Sequence, residues 1–192
     1  MIRSSVISVL ALAGLAAGAA SANDIVLVSN GFGAANTYPS QQLPASFHEW
    51  CNGCFPTVQL PLTDAKTGVP KGFLYAWGQN VVADPFPITP TSTFCFDEFV
   101  IWQLPAGEIH TISTRGPCGT YMNRDLVPPA TGMDTTVVAG GGQGDIVGGT
   151  GPYARWKGTY ATRVFVEDAG VLQFTYYDYL FVSITGSSNP ND

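Results

Sequence analysis

The sequence predicts an all-β fold, a single small closed barrel. Of its 192 residues, 12% are aromatic, 11% are charged, 22 are glycine and 14 are proline, a balance typical of short strands joined by tight turns. Runs rich in aromatic and β-branched residues alternate with Gly and Pro, and no amphipathic helical pattern competes with them. The runs that we predict as strands are Thr57–Leu62, Gly72–Val82, Thr93–Gln103, Glu108–Thr114, Thr135–Ala139, Tyr153–Val166 and Val171–Ile184.

Two of these runs, Thr93–Gln103 and Val171–Ile184, are apolar on both faces. Side chains alternate between the two faces of a strand, so such a strand needs an interior on one side and a covered exterior on the other. We therefore expect barrel walls rather than an open sheet, and we expect the exterior cover to be a contact between subunits of a homo-oligomer.

The N-terminal segment predicts export. Arg3 precedes an uncharged run that ends in the small residues Ala20, Ser21 and Ala22, which is the pattern of a cleaved signal peptide. We expect cleavage near Ala22 and a secreted or periplasmic protein. The predicted organisation is a signal peptide (1–22), an N-terminal strand and extended arm (23–56), the β-barrel domain (57–186) and a flexible tail (187–192).

The charge pattern excludes two classes of partner. The formal net charge is −6, and the few basic residues do not cluster, so nucleic acid and an anionic membrane surface are poor partners. No apolar run after the signal peptide is long enough to cross a bilayer. We expect neither nucleic-acid binding nor membrane insertion.

Four cysteines in an oxidising compartment are expected to pair, and three connectivities are open. We favour Cys51–Cys54 together with Cys95–Cys118. A redox C-x-x-C motif is a weaker interpretation, because Pro56 follows at once where such motifs open a helix. Zinc is weaker still, since His48 is near both thiols but no fourth ligand is suitably spaced. We therefore expect no metal and no cofactor.

The glycine-rich stretch 140–151 has two nucleotide-binding interpretations, and both fail. No Lys and Ser/Thr follow it as in a phosphate loop. Gly149 to Ala154 has the letters of a dinucleotide fingerprint, but a predicted strand follows where that fingerprint must open a helix. We interpret these glycines as providing turns and close backbone approach at a strand junction.

The segment Ile146–Tyr153 followed by Trp156–Ala161 resembles the glycine signature of dirigent proteins. The stretches Gly72–Val81, Ala106–Ile112 and Gln173–Val182 are similar in order and spacing to other strands of that family, so the likeness covers about residues 57–184. The glycine signature is the specific part of it.

The resemblance implies the calycin-type, eight-stranded antiparallel barrel that dirigent proteins and allene oxide cyclases share, commonly assembled as trimers. It also implies an apolar cavity for an apolar or phenolic small molecule, in which coupling, cyclisation or isomerisation is guided without a cofactor. The sequence departs from the family where Lys157 stands for the motif arginine, and the arm and the cysteines have no counterpart that we can place.

Candidate site residues come from the predicted strands. Asp97 and Glu98 are adjacent, so one of them must face the interior, and we choose Glu98. With Asp178 and Lys157 it forms the predicted catalytic set, Lys157 pointing inward and pairing with one of the acids. The predicted ligand-binding residues are Tyr75, Trp77, Phe96, Tyr177 and Tyr179. The alternatives are rim carboxylates, a solvent-facing lysine and packed aromatic core.

Three functions remain open at this level. The first is a cyclase, isomerase or coupling guide, the second is a carrier of an apolar metabolite, and the third is a structural barrel filled by side chains. A hydrolase is disfavoured because no nucleophile elbow is present and His110 is the one strand histidine, expected to be a satisfied polar residue. An enclosed cavity that holds a titratable group would separate the first function from the other two.

Overall fold

The computed structural model describes residues 24–84, 92–122, 136–168 and 174–188. The predicted signal peptide therefore lies outside the described residues, as does most of the predicted tail. The described strands are β1 (Asp24–Phe32), β2 (Phe55–Asp64), β3 (Pro70–Asp84), β4 (Thr93–Leu104), β5 (Gly107–Ser113), β6 (Cys118–Met122), β7 (Thr136–Gly149), β8 (Lys157–Asp168) and β9 (Phe174–Ser187), with one six-residue helix, α1 (Ala45–Trp50).

Eight of the strands close into an antiparallel barrel, as predicted. Hydrogen-bonded neighbours follow the ring β1–β2–β3–β4–β5–β7–β8–β9, and β9 returns to β1. The ninth strand, β6, continues the wall beyond the end of β5, where it pairs with both β4 and β7. Closure leaves no free edge between these strands. Along the strands, side chains point alternately into the barrel and away from it.

The strand boundaries differ from the predicted ones at four places. β1 belongs to the barrel wall, although the predicted barrel domain begins at residue 57. β6 was not predicted, because a strand of only five residues carries little periodicity. β8 begins at Lys157 rather than at Tyr153, which lies in a 3-10 turn. The fourth difference is β7, which continues to Gly149 through the glycine run.

The glycines of β7 allow close backbone approach rather than turns. A Cβ atom on Gly144 would lie 2.1 Å from the Ile112 carbonyl oxygen, and one on Gly142 would lie 2.9 Å from Pro117 Cα. β5 and the β5–β6 connection can therefore approach β7 closely only because positions 142 and 144 carry no side chain. The expectation of a strand junction is confirmed, since β7 ends at Gly149 and β8 begins eight residues later.

The arm covers part of the barrel exterior. Phe47 of α1 is buried and makes edge contacts with Trp77 of β3 and Phe99 of β4, at ring-centroid distances of 5.0 and 5.2 Å. Tyr38 makes similar contacts with Tyr75 and Trp77. The outer face of β4 is thus buried by the chain's own arm, and it needs no second subunit to cover it.

A polar contact also fastens the arm. The Tyr38 hydroxyl donates to the Glu108 carboxyl of β5 at 3.1 Å, and Glu108 lies 3.1 Å from His110 Nε2. Burial, and then the Glu108 charge, raise the pKa of Tyr38 to about 12. His110 is therefore a partnered residue of the outer face of β5, as the sequence suggested.

Both predicted disulfides are present. Cys51–Cys54 closes the turn after α1, and Cys95–Cys118 joins directly opposed residues of β4 and β6. The first uses both thiols that the zinc interpretation required. The second fastens β6 to the barrel wall, and both fit an oxidising environment.

Candidate functional site: the barrel cavity around Glu98

The barrel interior contains a cavity of about 90 Å³. This volume is several times the space that one buried water needs. It lies where β4, β6, β7 and β8 meet, and its aliphatic walls come from strands on every side. The aliphatic lining residues include Val58, Leu60, Leu74, Val100, Val164 and Leu180.

The lining follows the alternation of each strand. On β4 the even-numbered residues Phe94, Phe96, Glu98 and Trp102 line the cavity. The odd-numbered residues of the same strand face outward, where Asp97 accepts hydrogen bonds from Asn80 and from the Arg115 backbone. The structure thus decides between the two adjacent acids in favour of Glu98, which the sequence predicted.

Glu98 is a carboxyl group in an apolar enclosure. It is half-buried, and it lines the cavity. Tyr160 of β8 donates a hydrogen bond to Glu98 Oε2 at 3.2 Å. Burial raises the pKa of Glu98 to about 7, although the Tyr160 hydrogen bond acts in the opposite direction. Desolvation therefore dominates, and Glu98 titrates near neutral pH.

Two phenols accompany this acid. Tyr177 lines the cavity from β9, while Tyr160 is fully buried behind it and packs against Trp102 at a ring-centroid distance of 5.6 Å. Burial, and then the Glu98 charge, raise the pKa of both phenols. Both hydroxyls therefore stay protonated at physiological pH, and they can donate hydrogen bonds.

The structure does not place Asp178 in the cavity. Phe165 pairs with Tyr179 and the next residue of β8 pairs with Tyr177, so Asp178 is the extra residue of a β-bulge and does not line the cavity. Burial, and then the neighbouring Glu167 carboxyl, raise the pKa of Asp178 to about 6. The prediction of Asp178 rests on the polar residue that the dirigent family has at the matching place, and in this chain a bulge occupies that place.

The predicted inward position of Lys157 is wrong. Lys157 is exposed at the start of β8. In this strand Thr162, Val164 and Val166 line the cavity, so the odd-numbered residues face outward. Among the described residues no salt bridge joins Lys157 to Glu98 or Asp178. The outward position leaves the ammonium group in water, which avoids the cost of burying it.

The five aromatic residues predicted to bind a ligand divide between the two faces. Phe96 and Tyr177 line the cavity. Tyr75 and Trp77 face outward into the aromatic cluster beneath the arm, and Tyr179 is 43% exposed on the outer face of β9. The assignment of Tyr75, Trp77 and Tyr179 to the cavity is therefore wrong. For Tyr75 and Trp77 the interior face of β3 was not known, and for Tyr179 the bulge at Asp178 reverses the face relative to Tyr177.

A wider groove lies outside the barrel. It has a volume of about 950 Å³ and runs along the glycine stretch of β7 between the β5–β6 connection and the exposed residues of β8. Its lining is about evenly polar and apolar, whereas the lining of the interior cavity is mainly apolar and contains the Glu98 carboxyl group. The interior cavity is therefore the better candidate site.

No protein family, curated protein or solved structure gives a significant match. The likeness to dirigent proteins and allene oxide cyclases thus stays a hypothesis. Within the described ranges, no helix is long and apolar enough to cross a membrane.

The residues that sequence reasoning missed include two aromatic lining residues, Phe94 and Trp102, and the buried partner of Glu98, Tyr160. Phe94 and Trp102 share the parity of Glu98 on the same strand, so choosing Glu98 as inward also places them inward. Tyr160 lies on the opposite face of β8 from Lys157. The prediction that Lys157 points inward therefore placed Tyr160 outward.

Proposed function

We propose that this protein binds an apolar small molecule in the barrel cavity, as a member of an exported, dirigent-like class of barrels. The observation that supports the proposal is an apolar cavity with one carboxyl group held by a buried phenol. A barrel kept only for structural purposes would fill this space with side chains. The two disulfides support export to a secreted or periplasmic location.

Filling the cavity tests the proposal. Val164→Phe places a larger side chain in the cavity, whereas Ala161→Phe places the same side chain on the exposed outer face of the same strand. We expect p-cresol, observed by saturation-transfer NMR, to bind the wild type and Ala161→Phe but not Val164→Phe. Circular dichroism would show that both variants fold, since overpacking costs about 1–3 kcal/mol.

Binding by Val164→Phe equal to that of wild type would place the ligand elsewhere and contradict the proposal. Untargeted mass spectrometry of molecules that co-purify with the natively produced protein would then identify the natural ligand class. We expect compounds of low polarity that are absent from a parallel preparation of Val164→Phe.

A second candidate function is proton-transfer catalysis, as in an isomerase or cyclase. It is favoured by the Glu98–Tyr160 pair, because an acid that titrates near pH 7 is suited to both giving and taking a proton. In this version Glu98 moves the proton, Tyr160 orients its carboxyl group, and Tyr177 contacts the ligand. Asp178 and Lys157 have no part in it, since they lie outside the cavity.

We also propose a homo-oligomer, although the exposed apolar surface is smaller than the sequence predicted. The arm covers β4, but Phe165, Tyr179 and Phe32 remain 43%, 43% and 63% exposed on neighbouring strands. Exposed aromatic groups of this kind favour association. We expect light scattering at micromolar concentration to give a multiple of the single-chain mass, and a monodisperse monomer would contradict this.

A further inference from the structure

The charge of the cavity lining is one-sided. Among the described residues that line it, Glu98 is the one carboxyl group, and no Lys, Arg or His joins it. A carboxylate ligand would therefore meet a carboxyl group without any cation to offset the repulsion. The cavity therefore disfavours the binding of anionic ligands such as fatty acids.

The neighbouring polar groups already have partners. The Trp102 indole donates to Thr111 at 2.9 Å, Thr162 is hydrogen-bonded to the Gly142 backbone, and Tyr160 donates to Glu98. The carboxyl group of Glu98 thus remains the main polar feature that a ligand meets. As a carboxylate it accepts hydrogen bonds, so the matching ligand is a donor.

The rest of the cavity suits a positive charge. Four aromatic side chains line it with Glu98, namely Phe94, Phe96, Trp102 and Tyr177. The face of an aromatic ring attracts an ammonium group, most strongly where water is excluded. Aliphatic side chains complete the walls and would contact an apolar body.

We infer that the cavity is a binding site for a small organic ammonium ion, an apolar body with one protonated amine that pairs with Glu98. The inference rests on the proposed function and names its ligand class. A hydroxyl group can donate to Glu98, but it cannot offset the charge of a desolvated carboxylate. An ammonium group does both, which makes it the better partner in an apolar site.

Three probes with one apolar body separate the possibilities at pH 8. We expect cyclohexylamine, which is protonated at this pH, to bind at least tenfold more tightly than cyclohexanol in calorimetric titrations, and cyclohexanecarboxylate not to bind. Glu98→Gln should reduce the amine affinity to that of cyclohexanol and leave cyclohexanol within about threefold. Lys157→Met, on the outer face, should leave all three results unchanged.

The outcomes test the ammonium inference separately from the proposed function. If cyclohexanol binds the wild type as tightly as cyclohexylamine, the ammonium inference is wrong and the proposed function stands. If none of the three probes binds, the ammonium inference is wrong, and the p-cresol experiment then decides whether the proposed function stands. The comparison of the three probes on wild-type protein does not depend on how well Glu98→Gln folds.

Discussion

Phe47→Ala is expected to lower the free energy of unfolding by about 3–5 kcal/mol, the range for truncating a buried Phe. Phe47 is 5% exposed and lies between Trp77 and Phe99, so its removal leaves a cavity between the arm and the barrel wall. The expected loss is large because the outer face of β4 would also become accessible to water. Urea denaturation of the wild type and the variant measures it.

The matched control is Phe55→Ala. Phe55 is 43% exposed at the start of β2, and we expect its removal to cost about 1 kcal/mol or less. Equal losses for the two variants would show that the arm does not seal the barrel. The contacts of Tyr38 and Phe47 with Tyr75 and Trp77 of β3 would then contribute little to stability, and the arm would not be part of the core.

Glu98→Gln is expected to stabilise the protein at pH 8, by up to about 3 kcal/mol more than at pH 4.5. The pKa of Glu98 is raised from 4.5 to about 7 in the folded state, and each pKa unit corresponds to about 1.4 kcal/mol. Between the unfolded-state pKa and the folded-state pKa, Glu98 is protonated in the folded protein and ionised in the unfolded chain. The free energy of unfolding of the wild type therefore falls as the pH rises through this range, and glutamine removes this contribution.

The measurement is urea denaturation of the wild type and Glu98→Gln at pH 4.5, 6 and 8. Other groups titrate in the same range, so the informative quantity is the difference between the two proteins at each pH. Glu49→Gln on the exposed side of α1 is the control, and it should change the free energy of unfolding by less than about 0.5 kcal/mol. A wild-type minus Glu98→Gln difference that is constant with pH would show that the carboxyl group is well solvated.

Local patterns were sufficient for the features that depend on neighbours in sequence. Period-2 alternation placed Asp97 and Glu98 on opposite faces, and Phe96 shares the face of Glu98. Glycine and proline residues between the apolar runs located most strands. The dinucleotide interpretation of the glycine stretch was rejected because a strand was predicted where that fingerprint requires a helix. The same reasoning failed at Tyr179. The extra residue Asp178 in β9 places Tyr179 on the outer face although Tyr177 lines the cavity, and no sequence signal marks the bulge.

The sequence by itself determined that this chain is an all-β barrel, that its four cysteines pair, and that one acid of the 97–98 pair faces inward. Among the three possible connectivities the structure selects the favoured one, Cys51–Cys54 with Cys95–Cys118. Only the tertiary structure decided which face of β3, β8 and β9 is the interior, and therefore that Tyr75, Trp77 and Lys157 lie outside. The physical reason is that a strand with apolar residues on both faces can bury either one. The choice depends on what packs against it, and here the arm packs its own Tyr38 and Phe47 against the exterior.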